Sequence, residues 1–230
     1  PSRIRINDLL ENTCLPFIQN KYNNSGMNSK KYIPRQLETP MQERLFKGKA
    51  LLLLGPRQSG KTTLVQAMLA NRDEPHLMLN ADEPDVRRLL DTVTSTRLRS
   101  LFSGYRVVCI DEAQRIPDIG LTLKLITDQI PEVQVIATGS SSLELSATTS
   151  EPLTGRKFEF TLLPFAFAEL ARHHGLLEEK RRLEHRLVYG SYPDVVTSPG
   201  HEEELVRLLA DSYLFKDILT LESINKPALL

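Results

Sequence analysis

Between Ala50 and Leu163, short apolar runs alternate with longer stretches in which apolar residues return every three or four positions. The runs are Ala50–Leu54 (ALLLL), His76–Asn80 (HLMLN), Tyr105–Ile110 (YRVVCI), Val133–Ala137 (VQVIA) and Lys157–Leu163 (KFEFTLL). Each has the length of a strand. The third is a nearly unbroken, β-branched run, the pattern of a strand buried on both faces, whereas Phe158, Phe160 and Leu162 alternate with polar residues, as in a strand nearer a sheet edge. Helical periodicity fills the gaps: Leu64, Ala67 and Met68 within Lys61–Ala70, a stretch from Asp85 through Leu90 and on toward Phe102, and Ile119, Leu123, Ile126 and Ile130 before the stop at Pro131. Strands that alternate with helices predict an α/β fold with a parallel sheet of about five strands.

The flanks differ. Lys31–Lys47 reads as a helix beginning after Pro34, with Leu37, Met41 and Leu45 on one side. After Leu163 no strand is needed, and Pro164–Arg172, Glu178–Tyr189 and Glu202–Ile224 read as helices. The expected organisation is a core over residues 27–163 and a helical subdomain over 164–230. Residues 1–26 end in an Asn-rich tract and Ser25-Gly26 immediately before Met27, which fits either an added extension or an ordinary N-terminal arm.

The first strand runs directly into Gly55-Pro56-Arg57-Gln58-Ser59-Gly60-Lys61-Thr62-Thr63, the G-x-x-x-x-G-K-[ST] spacing of a phosphate-binding loop, with a helix immediately after. Gly55 and Gly60 permit backbone angles that let successive N–H groups turn inward around a polyphosphate. Lys61 supplies a point charge to the β- and γ-phosphates, Thr62 offers a hydroxyl to Mg²⁺, and the helix start favours the same anion. The expected ligand is ATP with Mg²⁺; no Asn-Lys-x-Asp segment that would read guanine is present.

About fifty residues further on, YRVVCI ends in Asp111-Glu112, which places two carboxylates at the carboxyl end of a central strand, where open parallel sheets bind ligands. Asp111 is expected on the metal side and Glu112 as the base that polarises water. The fourth strand ends in Thr138-Gly139-Ser140-Ser141-Ser142, so a hydroxyl from Thr138 or Ser140 is expected to sense the γ-phosphate, with a helix N-cap before Leu143-Glu144-Leu145 as the competing role. Arg156, just before the fifth strand, is a candidate to stabilise charge on the phosphate of its own or a neighbouring subunit's nucleotide, with a surface arginine as the alternative.

Composition narrows the partners. Lys+Arg and Asp+Glu both number 29, so zero formal charge gives no global pull toward nucleic acid or anionic membrane. The Arg87, Arg88, Arg97, Arg99 and Arg106 group and the Arg181, Arg182 and Arg186 group leave DNA as a local alternative, against solvated helix faces. Cys14 and Cys109 are far apart in sequence, which argues against a disulfide framework and fits a reducing cytoplasm. No apolar run reaches the length of a bilayer span, so no membrane is expected.

GPRQSGKTT, VVCIDEAQRI, VIATGSSSLEL, LTGRKFEFTLLPFAFAEL, GSYPDVV and SYLFKDI, in that order, resemble the AAA-like P-loop ATPases that carry an uncharacterised C-terminal domain, the AAA_14/DUF4143 group, over about residues 31–224. The resemblance implies a catalytic-glutamate P-loop NTPase fold with the acidic strand inserted beside the loop strand. It implies Asp111 as the Mg²⁺-side acid, Glu112 as the base, Ser140 or its neighbours as the sensor and Arg156 as a phosphate-contacting arginine. It also implies a further domain beyond Leu230. The leading functional expectation is an ATPase coupled to unknown work; the alternative is a slow nucleotide-gated switch that presents a surface to a protein or to DNA. A homo-oligomer is compatible with both.

Overall fold

The computed structural model describes residues 32–70, 72–140 and 153–211. By its contacts the chain divides into residues 1–32 and residues 33–230, and every described residue except Tyr32 belongs to the second unit. The N-terminal arm, the Ser141–Ser142 continuation of the fourth strand end with the helix N-cap expected there, and the last part of the expected C-terminal helix lie outside the described residues.

Five parallel strands form the sheet: β1 (Ala50–Leu54), β2 (His76–Asn80), β3 (Val107–Asp111), β4 (Gln134–Gly139) and β5 (Lys157–Thr161), in the order β2-β3-β4-β1-β5. The all-parallel α/β architecture agrees with the sequence expectation, and β5 is an edge strand as its alternation predicts. The expected neighbour of the loop strand is corrected. β4, not the acidic strand β3, pairs with β1 through Leu51–Ile136 to Leu54–Gly139, and β3 lies one strand further out. Periodicity could not settle this, because β1 and β4 are buried at every position and β3 at all but its last. Strands covered on both faces carry no mark of which is adjacent to which.

Helices cover both faces. α1 (Glu38–Gln42) and α2 (Lys61–Ala70) contribute Met41, Leu64, Val65, Met68 and Leu69 to a cluster with Leu51, Leu53, Cys109 and Ile136 of the sheet. Each fully buried Leu there stabilises the fold by about 1.5–3 kcal/mol. α3 (Pro84–Leu90) and α4 (Ser95–Leu101) connect β2 to β3, and α5 (Ile119–Gln129) connects β3 to β4 with Ile119, Leu123 and Ile126 inward. After β5 come α6 (Phe167–His174), α7 (Leu176–Arg181), α8 (Leu183–Tyr189), α9 (Pro193–Thr197) and α10 (Glu202–Leu209).

Three helix boundaries depart from the expected ones. The helix expected over Lys31–Lys47 contracts to α1: past it the chain turns through Arg44 N–H to the Met41 carbonyl at 3.1 Å and Leu45 N–H to the Gln42 carbonyl at 3.2 Å, and left-handed Phe46 and Gly48, φ 58° and 70°, carry it out of the helical region. The helix expected over Glu178–Tyr189 is two, broken at Arg182, whose ψ of 1° leaves the helical region. Pro164 does not start α6, which begins after Ala166, where the Glu169 carboxylate accepts the Ala166 N–H at 2.9 Å.

Candidate functional site

Because the strands are parallel, their carboxyl ends share one rim, and β1, β3 and β4 bring their following residues to it. The loop leaves β1 at Leu54, whose carbonyl accepts the Leu162 N–H at 2.7 Å. Gly55 therefore passes directly beneath β5: a Cβ placed on it would lie 2.1 Å from the Leu162 carbonyl oxygen, so no side chain fits. Gln58 is left-handed at φ 58° and Gly60 has φ 92°, the reversal that turns the loop back into α2. Leu64 N–H donates to the Gly60 carbonyl at 2.9 Å, which closes the first turn of the helix.

Within this turn Lys61 is almost wholly buried and its Nζ donates to the carbonyls of Gly55 and Pro56, each at 3.0 Å. Ser59 is buried with its Oγ lacking a hydrogen-bond partner among the described residues. Pro56 and Arg57 are half-buried, and Gln58 and Thr63 are exposed. The loop thus presents a buried ammonium, an unpartnered hydroxyl and a helix start at one place.

Across the rim, the Asp111 carboxylate accepts two hydroxyls. Thr62 Oγ1 donates to its Oδ2 at 2.7 Å, and Thr138 Oγ1 donates to its Oδ1 in a short hydrogen bond. Thr138 also accepts the Glu112 N–H at 3.2 Å, so one hydroxyl on β4 fixes the two consecutive acids at the end of β3. Glu112 itself is left-handed at φ 51°, a conformation that costs a non-glycine residue about 1 kcal/mol and turns its side chain off the strand line. Gln114 Nε2 donates to Glu112 Oε2 at 2.6 Å, while the Gln114 Oε1 is buried without a partner among the described residues.

The structure thus brings Gly55, Pro56, Arg57, Gln58, Ser59, Gly60, Lys61, Thr62, Asp111, Glu112 and Thr138 together. Ser140 is buried immediately past β4. Arg156 is placed elsewhere. Its carbonyl accepts the N–H of Ala50, the first residue of β1, and its guanidinium Nε pairs with Asp128 Oδ1 at 2.7 Å. It therefore stands at the amino-terminal rim, a strand length of about 13 Å from the rim that carries the loop. The expectation that it reaches the phosphate of its own chain is corrected: its nearness to the loop strand in the sheet is nearness to the wrong end of that strand.

Sequence reading missed Gln114, two residues past the acids, and Arg35, whose Nη1 donates to the Ser59 carbonyl at 3.0 Å. Gln114 was open to inspection beside the acid pair. Arg35 carries no local signal, since the loop it touches is distant in sequence.

A glycine-bounded loop between a buried parallel strand and a helix, with a lysine at its end and, on its threonine, an acid from the strand two places away in the sheet, defines a P-loop NTPase. The profile of the AAA domain family AAA_14 matches residues 47–171, more than half of the chain, and the chain belongs to that family. Such a fold implies a nucleotide with a divalent metal in general. Uncharacterized proteins of Mycobacterium tuberculosis (Rv2008c) and Mycobacterium bovis (Mb2031c) are each 36% identical over 124 residues, which is 53% of this chain and 26% of theirs. The match thus spans about a quarter of these relatives. Solved structures similar in part include the Pif1 helicase of Candida albicans, with TM-score 0.42 and 13% identity over 66% of this chain and 44% of that one. Another is the Drosophila origin recognition complex bound to DNA, with TM-score 0.43 and 14% identity over 60% of this chain and 94% of that one. The assignment rests on the family match and the strand order, to which likenesses this low add nothing. No described helix is long and apolar enough to cross a membrane.

Proposed function

We propose that the chain binds ATP with Mg²⁺ at residues 55–63 and hydrolyses it. The observation that carries this reading is Asp111, which accepts Thr62 and Thr138 on its two oxygens and so holds a pair of hard oxygen ligands, the Thr62 hydroxyl and its own carboxylate, at the mouth of the loop. The remaining residues fit the same ligand: a cradle at Gly55 that a Cβ would fill, the unpartnered Ser59 hydroxyl, and an ammonium whose two carbonyl acceptors are replaceable by phosphate oxygens. When bound, Mg²⁺ would neutralise charge on the phosphates.

Lys61 leaves the Gly55 and Pro56 carbonyls and donates to the phosphate oxygens. The amides of residues 60–63 at the start of α2 orient the same group. Glu112 accepts a proton from the attacking water. Thr138 keeps Asp111 and Glu112 in register and so is the sensor candidate that touches both acids. Arg156 takes part only if it reaches the nucleotide of a second copy.

The Gln114–Glu112 hydrogen bond supports a second reading. With its carboxylate tied at 2.6 Å, Glu112 turns over slowly and nucleotide acts as a switch that exposes a partner or DNA surface. Phosphate release and equilibrium ATP binding on wild type, Lys61→Ala and Glu112→Gln separate these. Hydrolysis as the purpose requires wild-type turnover that Lys61→Ala and Glu112→Gln both abolish, with ATP still held by Glu112→Gln. A wild type that binds ATP with negligible turnover favours the switch, and one that binds none removes both.

A further inference from the structure

We propose that Arg35 is a positioning residue that fastens the phosphate loop to the helices after β5, so that the loop conformation and the placing of α6 are coupled. Arg35 is almost fully buried, and its guanidinium meets four groups, one in the phosphate loop and three between residues 163 and 169. Nη1 donates to the Ser59 carbonyl in the loop at 3.0 Å, Nη2 donates to the Leu163 carbonyl past β5 in a short bond, and Nε pairs with Glu169 Oε1 of α6 at 3.2 Å. The guanidinium carbon lies 4.4 Å from the centroid of the Phe165 ring.

Glu169 is equally buried and is itself fixed: Oε1 also accepts the Gln36 N–H at 2.7 Å, and Oε2 accepts the Ala166 N–H at 2.9 Å. Ile33, Phe165, Leu170 and Val196 pack as a small apolar cluster joining the segment before α1 to α6 and α9. Gly60 faces the same group, since a Cβ on it would lie 3.8 Å from Arg35 Nη1 and 3.7 Å from Pro193 Cγ.

A planar guanidinium holds three acceptors at fixed angles, and a buried charge is costly unless all of them are kept. Two of these acceptors are backbone carbonyls that define the loop and the end of β5, and the third belongs to α6. When the loop adjusts to its ligand, the Ser59 carbonyl moves. The guanidinium then either follows and draws Glu169 and α6 with it, or is left short of an acceptor. Either way, loop and helices are energetically linked, and the link is reciprocal. The lock itself stands without a nucleotide; its use as a reporter of nucleotide rests on the ATP-binding reading above.

Hydrogen exchange by mass spectrometry on the whole chain tests it, with Glu169→Gln and Arg35→Lys, which retain volume but lose the charge pair or the fork. Without nucleotide, both variants are expected to exchange amides 56–64 about ten-fold faster than wild type, with residues 76–90 unchanged. Equal acceleration of both regions would mean a loss of overall stability with no specific hold on the loop, and overturns the lock. With saturating Mg-ATP, helices over 167–197 change protection in wild type but not in the variants, whose Kd for Mg-ATP rises about ten-fold. Folded variants with wild-type loop exchange overturn the lock. A wild type that binds Mg-ATP with no response over 167–197 overturns the coupling. A wild type that binds no Mg-ATP overturns the ATP reading, and the nucleotide-free comparison still decides the lock.

Discussion

Thr62 Oγ1 lies 2.7 Å from Asp111 Oδ2, a bond between the first turn of a helix and the end of a strand that is not a neighbour of the strand feeding that helix. β4 intervenes, and its Thr138 supplies the second hydroxyl to the same carboxylate. Asp111 is consequently held from both sides, which fixes its oxygens without a metal.

Removing Thr138 Oγ1 frees Asp111 Oδ1 and the Glu112 N–H together. Thr138→Val, close in volume, is expected to lower Mg-ATP turnover about 10–100-fold and to raise the Mg²⁺ concentration for half-maximal rate, by loss of a group that orients a ligand. Phosphate release measured across a Mg²⁺ titration checks this. A variant with the wild-type rate and Mg²⁺ dependence would remove Thr138 from the site.

Gly55 and Gly48 give a matched pair of backbone tests. A Cβ at Gly55 meets the Leu162 carbonyl at 2.1 Å, whereas Gly48 has φ 70° and nothing within 4 Å. Gly48→Ala is expected to cost about 1 kcal/mol, from conformation alone. Gly55→Ala must push β5 from the loop and is expected to cost roughly 3 kcal/mol. Urea unfolding of the two variants beside wild type measures the gap; equal midpoints would show that β5 yields freely.

Cys109 is fully buried in β3, and burial, then the negative charge of Asp111, pushes its thiol well above the ordinary value. Thiolate is the reactive form, so Cys109 should resist alkylation in the folded protein at neutral pH and react fully in denaturant. Peptide mass spectrometry after iodoacetamide treatment distinguishes Cys109 from Cys14. Fast labelling under native conditions would mean that β3 opens locally.

Much of the fold was written locally. ALLLL, YRVVCI and VQVIA announce strands as short, mostly apolar runs between turn signals, and the loop spacing with Asp111-Glu112 announces the site because phosphate chemistry demands those residue types. Strand order was hidden for the same reason that the strands were visible: uniform apolar runs look alike from any neighbour. Arg156 misled because sequence adjacency to a strand does not say which rim is functional. Arg35 and Glu169 were silent, since their meaning lies in contacts across 134 positions that no period encodes.

Glu179 on α7 offers a pH test away from the site. Its side chain is fully buried, accepts Arg186 Nε at 2.8 Å and lies 2.9 Å from His174 Nδ1. Burial pushes its carboxyl up, but the hydrogen bonds from Arg186 and His174 and their charges together prevail and hold it below the ordinary 4.5. A depressed value means that the folded state favours the carboxylate. The stabilisation is therefore complete above the ordinary carboxylate range and is lost as pH falls through the lower folded value. Glu179→Gln leaves Arg186, whose Nη2 is already buried without a partner among the described residues, facing a neutral amide. At about pH 7 the variant should be less stable by roughly 3 kcal/mol, the cost of breaking a buried pair. Below the folded value wild type also carries a neutral group beside Arg186, so the difference should shrink toward zero. Urea unfolding of both proteins at a series of pH values from neutral to acid reads this directly, and a gap that stays constant with pH would mean that the Glu179 charge is not what holds α7 to α8.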